Sequence, residues 1–169
     1  MASSGRSAFF YGTLMAPQVL HRVCHGGSQK DNPLYTTHNL KSSPAILHDH
    51  RRHRVQYADY PAITPHEGAS VRGTYVSGLT DNDIWRLDIF EGDQYVRRKV
   101  NVKLLTKVGG EDGKGNVEGE EVEAETYIWG EDVNELEEAE WDFNEFLREK
   151  LKYWAGQDDE YSGRPSIRG

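Results

Sequence analysis

Glu91 is the carboxylate whose position in the sequence most suggests chemistry. It lies four residues after Leu87 and seven after Ile84 in a segment with helical spacing, so its side chain should project along the stripe that faces the core. A charge is costly there, and burial would raise the pKa of the carboxyl group until it can serve as general base and acid. A glutamate at a helix end could instead reach water or pair with Arg97 or Arg98, and the pattern leaves both interpretations open.

A second candidate is the turn at Gly12, which directly follows a short aromatic strand and precedes a helix. In such a turn successive backbone N–H groups can point outward and bind a carboxylate or an oxyanion. The simpler alternative is that Gly12 only permits a tight turn with positive φ, and this segment taken alone favours that alternative.

The cluster of His48, Asp49, His50 and His53 has residue types common among zinc and iron ligands. In an extended strand His48 and His50 share a face, whereas His53 falls on the opposite one. Arginines at positions 51, 52 and 54 would also oppose a dication. We therefore expect a solvated strand edge and no metal site.

Other catalytic and cofactor motifs have little support. Cys24 lies in a segment with a helical pattern, and its neighbours His21 and His25 are at a spacing that is usually incidental. No Gly-x-Ser-x-Gly elbow, Gly-x-Gly-x-x-Gly fingerprint or Walker-type sequence occurs. A serine nucleophile and a nucleotide are thus not indicated, and we expect no cofactor.

Helices are predicted from their boundary residues. Pro17 suits the first position of a helix that ends before residues 25–27, and Thr80 suits the N-cap of a second, with Asp83 in the capping-box position and Gly92 after its end. Farther on, apolar residues at helical spacing among acidic ones predict an amphipathic helix packed across the sheet: Leu136, Phe143, Leu147, Leu151 and Trp154.

Short strands separate these helices, and the polar, glycine-rich residues 109–119 are typical of a hairpin connection. The order of elements indicates an α+β domain whose sheet curls towards a barrel. We expect a flexible leader at residues 1–7, one domain at residues 8–154 and a disordered tail at residues 155–169. Strands are predicted for residues 8–11, 45–47, 54–57, 60–63, 71–76, 95–105 and 121–129.

Composition narrows the classes of function. The chain has 169 residues, enough for one core, and its net charge of -8 would repel phosphate backbones, so nucleic acid is not an expected partner. A single cysteine excludes an intramolecular disulfide and fits a reducing compartment. No apolar run suggests a signal peptide or a membrane span, so we expect a cytoplasmic protein without a membrane partner. Monomer and homodimer both stay open.

Four segments, in this order, resemble the gamma-glutamylcyclotransferase-like family: residues 10–15 (FYGTLM), 60–63 (YPAI), 87–92 (LDIFEG) and 95–97 (YVR). None is diagnostic alone, but their joint order is specific. The resemblance continues through residues 71–75 and 126–129, and residues 140–143 are similar to the avirulence-induced plant branch, so that it spans about residues 8–154. His48–Asp49–His50 and the long segment 109–119 depart from the family pattern and leave the choice of substrate open.

The resemblance implies a small mixed or antiparallel barrel with flanking helices that releases 5-oxoproline from a gamma-glutamyl compound. The substrate's amine would attack its own γ-carbonyl, while Glu91 takes a proton from the α-ammonium and later delivers one to the departing amine. Tyr95 and Arg97 would orient Glu91 or the pocket wall. The rim of the pocket would bind substrate, with backbone N–H groups on its carboxylate or oxyanion, and comprises Tyr11, Gly12, Thr13, Leu14, Met15 and Ala16.

Two other classes of function stay open from the sequence. A non-catalytic protein could keep the turn as a sensor of an anion or amino acid, with Glu91 serving structure only. An interaction module could use the acidic residues 131–149, although such charge is usually a solvated face.

Overall fold

The computed structural model describes residues 6–25, 40–58, 60–110, 114–138, 141 and 146–148. Its elements give an α+β fold, as the sequence predicts. The helices are α1 (Pro17–His25) and α2 (Asp81–Glu91), with short 3-10 helices at Thr13–Met15 and Val133–Glu135. The strands are β1 (Arg6–Phe10), β2 (Lys41–Arg54), β3 (Pro61–Leu79), β4 (Tyr95–Lys107) and β5 (Val117–Trp129).

The strands form a closed barrel in the order β1-β3-β2-β4-β5. Each neighbouring pair is antiparallel, except for β1 and β5, which are parallel and pair through Ala8 and Glu125. Side chains reinforce this closing seam: Ser7 Oγ donates to the Glu123 carbonyl at 3.0 Å and Thr126 Oγ1 donates to the Phe9 carbonyl at 2.9 Å. The predicted mixed barrel is therefore confirmed.

Strand β1 is buried on both faces because its alternate residues enter two different cores. Phe9 belongs to a cluster with members from all five strands and from the turn after β1, so its side chain lies in the barrel interior. Ala8 and Phe10 belong to a second cluster together with residues of α1 and α2. Burial of a side chain as large as Phe9 contributes roughly 1.5 to 3 kcal/mol, so β1 joins the barrel firmly to the helical layer.

Helix α2 begins and ends as its sequence predicts. Thr80 Oγ1 accepts from the Asp83 amide at 3.1 Å, and Asp83 Oδ2 accepts from the Thr80 amide at 3.0 Å, which completes a capping box. At the other end Gly92 has a φ of 83° and donates its N–H to the Asp88 carbonyl at 3.0 Å. Only glycine adopts that backbone readily, so Glu91 is fixed as the last helical residue.

Several predicted boundaries are wrong. Strand β1 begins at Arg6, so the last two residues of the expected leader are strand, held by the Arg6 ion pairs and the Ser7 hydrogen bond across the seam. The predicted strand at residues 54–57 is instead the end of β2 followed by an exposed turn, in which Tyr57 has a φ of 60°. Strand β5 begins at Val117, which shortens the expected connection.

The predicted C-terminal helix does not begin at Leu136. That residue pairs with Val55 in an isolated β-bridge, and the Glu137 amide donates to the Arg54 carbonyl at 2.7 Å, because this segment adds to the end of β2. Phe146 is buried while Leu147 is exposed, the reverse of the predicted apolar face. The other predicted positions 143, 151 and 154, the leader before residue 6 and the tail at residues 155–169 lie outside the described residues.

Within the described part of the chain, no helix has the length and apolar character needed to cross a membrane.

Candidate active site

A narrow cleft lies where the turn after β1 meets the end of α2. The space inside the cleft is about 10 Å³, roughly what one water molecule needs. The structure thus brings together Glu91 and the first four residues of the predicted rim. Among the described residues the lining is mostly apolar and aromatic and includes no lysine or arginine. It consists of Phe9, Phe10, Tyr11, Gly12, Thr13, Leu14, Pro61, Glu91 and Tyr127.

Glu91 is 5% exposed and shares its buried stripe with Ile84 and Leu87, as the helical spacing predicts. Its Oε1 atom is buried and has no hydrogen-bond partner among the described residues. Burial, and secondly the charge of Asp88, raises the pKa of the Glu91 carboxyl well above its ordinary value. A buried carboxyl group with a raised pKa holds its proton more tightly than an exposed one, which suits acid and base catalysis.

The turn before α1 is a 3-10 helix whose backbone offers donors to the cleft. The Met15 amide donates to the Gly12 carbonyl at 2.9 Å and the Ala16 amide to the Thr13 carbonyl at 3.1 Å. The preceding N–H groups, of Thr13 and Leu14, have no acceptor within the helix. Thr13 Oγ1 is also buried without a partner among the described residues. The cleft therefore holds a second buried polar atom that a ligand could satisfy.

Gly12 is needed for close approach rather than for a left-handed backbone. Its φ is -132°, so the interpretation as a turn with positive φ is wrong. A Cβ atom at this position would lie 2.7 Å from Pro61 Cγ and 2.8 Å from Pro61 Cδ, closer than real Cβ contacts. The glycine allows the turn to pack against the first residue of β3, and this contact forms one wall of the cleft.

Tyr11 joins the turn to β5 and β2. Its hydroxyl donates to the Tyr127 carbonyl at 2.5 Å, and its carbonyl accepts from an Arg52 guanidinium nitrogen at 2.7 Å. Burial, and next the charge of Glu91, raises the pKa of the Tyr11 hydroxyl well above its usual value, so this hydroxyl stays protonated as a donor. Met15 and Ala16, also predicted as rim residues, pack into or against the helical core and do not line the cleft.

Tyr95 and Arg97 stand behind the cleft and do not line it. The Tyr95 hydroxyl donates to the Pro61 carbonyl at 2.7 Å, which holds the residue that Gly12 approaches. Arg97 binds the Asp88 carboxylate through one guanidinium nitrogen, and its Nε lies 3.0 Å from Glu125 Oε2. These contacts lead Arg97 to Asp88 and Glu125, whereas one of the two interpretations left open by the sequence paired Glu91 with Arg97 or Arg98.

Two residues of the site were missed by sequence reasoning. Tyr127 lines the cleft, and its hydroxyl donates to Asp88 Oδ1 at 2.7 Å. Asp88 could have been found, because a position three residues before Glu91 lies on the same side of a helix. Tyr127 carries no local signal, since its place depends on the register that sets it opposite Arg97 in the β4–β5 pair.

The histidine cluster has separate partners instead of a shared ligand. His48 Nε2 lies 2.9 Å from Glu118 Oε1, His50 Nδ1 donates to the His48 carbonyl at 3.0 Å, and His53 Nδ1 donates to the Glu137 carbonyl at 3.0 Å. Asp49, with a φ of 64°, forms a bulge that breaks the expected alternation. Over the described ranges, no group of three or more His, Cys, Asp or Glu residues is arranged to hold a metal ion.

Comparison with known proteins agrees with this geometry. Residues 8–144 match the family model described as gamma-glutamyl cyclotransferase, AIG2-like. The chain belongs to this family. Its similarity to Protein AIG2 B of Arabidopsis thaliana is 29% identity over 152 residues, which cover 88% of this chain and 76% of the relative. AIG2-like protein D of the same plant is 30% identical over 140 residues, covering 83% of this chain and 78% of the relative.

Solved structures share the fold of this family member. A solution structure of an Arabidopsis thaliana protein superposes with a TM-score of 0.58 at 24% identity and covers 99% of this chain and 98% of its own. A structure of a gamma-glutamyl cyclotransferase superposes with a TM-score of 0.55 at 16% identity, over 95% of this chain and 82% of its own. At these identities the likeness establishes the architecture.

Proposed function

We propose that the protein is a gamma-glutamylcyclotransferase that releases 5-oxoproline from a small gamma-glutamyl compound. The observation that carries this proposal is Glu91, a buried carboxyl group with an unpartnered oxygen and a raised pKa that lines the cleft. A buried carboxyl group without a partner costs folding free energy. This free-energy cost is explained if the group exchanges protons with a substrate.

The reaction requires only proton transfers around one new C–N bond. Glu91, ionised, takes a proton from the substrate α-ammonium, and the freed amine attacks the γ-carbonyl carbon of the same molecule. As the bond from that carbon to the departing nitrogen breaks, Glu91 returns the proton to this nitrogen. The ring nitrogen then loses its second proton, which ends on the released amine. This route requires no metal or cofactor.

The turn supplies the donors that such a substrate needs. The substrate's α-carboxylate or the oxyanion that develops on its γ-carbonyl would be held by backbone N–H groups of Gly12, Thr13 and Leu14, since the described lining of the cleft includes no lysine or arginine. The unpartnered Thr13 Oγ1 can add a further hydrogen bond.

Family membership supports the same class of substrate, since the matching family model carries the cyclotransferase name. We assign the activity to a domain at residues 8–154 that works in the cytoplasm, in keeping with one buried cysteine and an acidic net charge.

The test is incubation of the purified protein with a panel of gamma-glutamyl peptides, amines and amino acids, with detection of 5-oxoproline by mass spectrometry. Glu91→Gln is the matched control, because it keeps the side-chain size and removes the exchangeable proton. We expect release from at least one compound by the wild type and far less by the variant. Calorimetric binding of 5-oxoproline with no release from any compound would favour a non-catalytic sensor.

A further inference from the structure

Asp88 binds a cation from β4 and a hydroxyl donor from β5. One is the Arg97 guanidinium, which binds its Oδ2 atom. The other is the Tyr127 hydroxyl, which donates to its Oδ1 atom at 2.7 Å. Glu91, one turn farther along α2, has a buried Oε1 with no partner among the described residues. The Arg97 cation and the Tyr127 donor, of which only Tyr127 lines the cleft, therefore both bind the carboxylate that lies next to Glu91 on α2.

The arrangement is built into the fold at several points. Arg97 and Tyr127 are direct partners in the antiparallel β4–β5 register, so their side chains extend from the same face. Arg97 is held on its far side by Glu125 at 3.0 Å, and Glu125 is held in turn by Arg6 at 2.7 Å. The Glu125 side chain is 13% exposed, whereas those of Arg97 and Asp88 are 30% and 42% exposed, so water partly screens the Arg97–Asp88 pair.

We infer that Asp88 is a positioning residue, which keeps the Arg97 guanidinium and the Tyr127 hydroxyl away from Glu91. The Glu91 carboxyl group then stays free to exchange its proton with the substrate ammonium. This role rests on the proposed function of Glu91. An ion pair with Arg97 would hold Glu91 in its charged form and weaken it as an acid, and a hydrogen bond from Tyr127 would occupy the oxygen that must accept the proton.

The groups around Glu91 define what should happen when Asp88 is changed. Asp88 acts from the same helix, Tyr11 from the turn after β1 and Tyr127 from β5, and each of these three groups interacts electrostatically with Glu91. Arg97 reaches the site from β4 through Asp88. Loss of the Asp88 charge removes a repulsion and releases a cation, and both changes favour the ionised form of Glu91.

The experiment compares Asp88→Asn with Asp81→Asn, which makes the same chemical change on the same helix at an exposed ion pair with Arg6. The titration of the Glu91 carboxyl carbon is followed by NMR and assigned with the Glu91→Gln variant. We expect Asp88→Asn to move this titration, and the acidic limb of the pH–rate profile, to lower pH by roughly 1 to 3 units. Asp81→Asn should move neither.

Arg97→Met provides an independent variant, which should move the Glu91 titration to higher pH because Asp88 keeps its charge without a cation. The double variant Asp88→Asn, Arg97→Met should titrate above Asp88→Asn alone. If Asp88→Asn folds and its Glu91 titration is unchanged, the inference is overturned. If Asp88→Asn does not fold, an unchanged Glu91 titration in Arg97→Met overturns it. The NMR measurement decides this without turnover, whereas absence of 5-oxoproline release by the wild type would count against the proposed function alone.

Discussion

The polar side chains at the two ends of α2 differ in whether their hydrogen-bonding groups have partners. In the first turn Thr80 and Asp83 satisfy each other through two hydrogen bonds, and Asp83 is buried without penalty. In the last turn Glu91 is equally buried, yet one of its oxygens has no partner among the described residues. Both ends lie in one helix of eleven residues, so the difference does not come from the element but from what surrounds each end.

The contrast separates a polar group that stabilises the fold from one that costs folding free energy and that we propose to be catalytic. A capped helix end is worth about 0.5 to 2 kcal/mol, whereas a buried polar group left unsatisfied costs about 1 to 3 kcal/mol. Removal of the first should therefore lower stability and spare activity. Removal of the second should spare or raise stability and abolish activity.

The largest effect is expected from Glu91→Gln on turnover. Because an amide cannot exchange a proton near neutral pH, we expect the rate of 5-oxoproline release to fall by about 10²- to 10⁴-fold. Release is measured by mass spectrometry at several pH values, with binding of 5-oxoproline by calorimetry as the control for an intact cleft. Near-normal turnover by a folded variant would mean that Glu91 is not needed for catalysis, so that neither end of α2 has a catalytic group.

Gly12→Ala should have the next largest effect, on binding. The added Cβ would lie 2.7 Å from Pro61 Cγ, so the turn and the start of β3 must separate. We expect at least a tenfold, roughly 1.4 kcal/mol, loss of affinity for 5-oxoproline by calorimetry. Thr13→Ser, which keeps the hydroxyl, is the matched control and should bind nearly as the wild type does. Equal affinities for both variants would mean that this turn does not hold the ligand.

Glu91→Gln should also change stability in a pH-dependent way. Because folding raises this pKa above 4.5, the folded protein binds the proton more tightly than the unfolded chain does, and stability falls as pH rises from 4.5 through the folded value. Glu91→Gln cannot ionise at this position, so its stability does not fall in this pH range for this reason. We expect its thermal midpoint to exceed that of the wild type near pH 8 and the gap to close towards pH 4, as followed by circular dichroism. A gap independent of pH would contradict the raised pKa.

Thr80→Ala tests the satisfied end of the helix. Loss of the cap should lower the free energy of unfolding by about 1 kcal/mol, measured by urea denaturation. Turnover below the melting range should stay within about twofold, because Glu91 is eleven residues farther along and its surroundings are unchanged. Thr80→Ser, which keeps the hydroxyl, should restore most of the stability. A large loss of turnover in Thr80→Ala would show that the two ends of α2 are coupled and that the cap does not act on stability alone.

The smallest effect concerns Cys24, which lies in α1 near the satisfied end. Burial, and next the charge of Asp83, raises the pKa of its thiol to about 12. The reactive thiolate should then be scarce, and iodoacetamide at pH 8 should leave the folded protein unmodified by intact-mass analysis. The urea-unfolded protein, as the control, should be alkylated readily. Rapid alkylation of the native protein would show that α1 opens where it packs near the first turn of α2.

The features that the sequence predicts correctly are those set by neighbours a few residues away. Thr80 and Asp83 cap each other three residues apart, and the burial of Glu91 follows from the stripe that it shares with Leu87. Gly12 was misjudged because the atom that requires a glycine belongs to Pro61, which is distant in sequence. Local pattern is thus sufficient for helix ends and insufficient for the cleft wall.

The strand pairing explains the other misjudgements. Strand β2 extends to Arg54 because it pairs with β3 along its whole length, with a bulge at Asp49 that no local periodicity indicates. The sequence left open whether Arg97 pairs with Glu91, and the β4–β5 register directs it to Asp88 together with Tyr127. The roles proposed for the site residues therefore depend on register, which a single sequence does not encode locally.

The closing seam between β1 and β5 has a consequence for how the cleft admits a ligand. The described residues there share a single backbone pairing, at Ala8 and Glu125, and the remaining hydrogen bonds come from side chains. A ring of strands opens where the fewest backbone bonds must break. Because Tyr11 and Tyr127 stand on opposite sides of the seam and form two walls of the cleft, a small parting of these strands would widen the entrance while the rest of the barrel keeps its pairing.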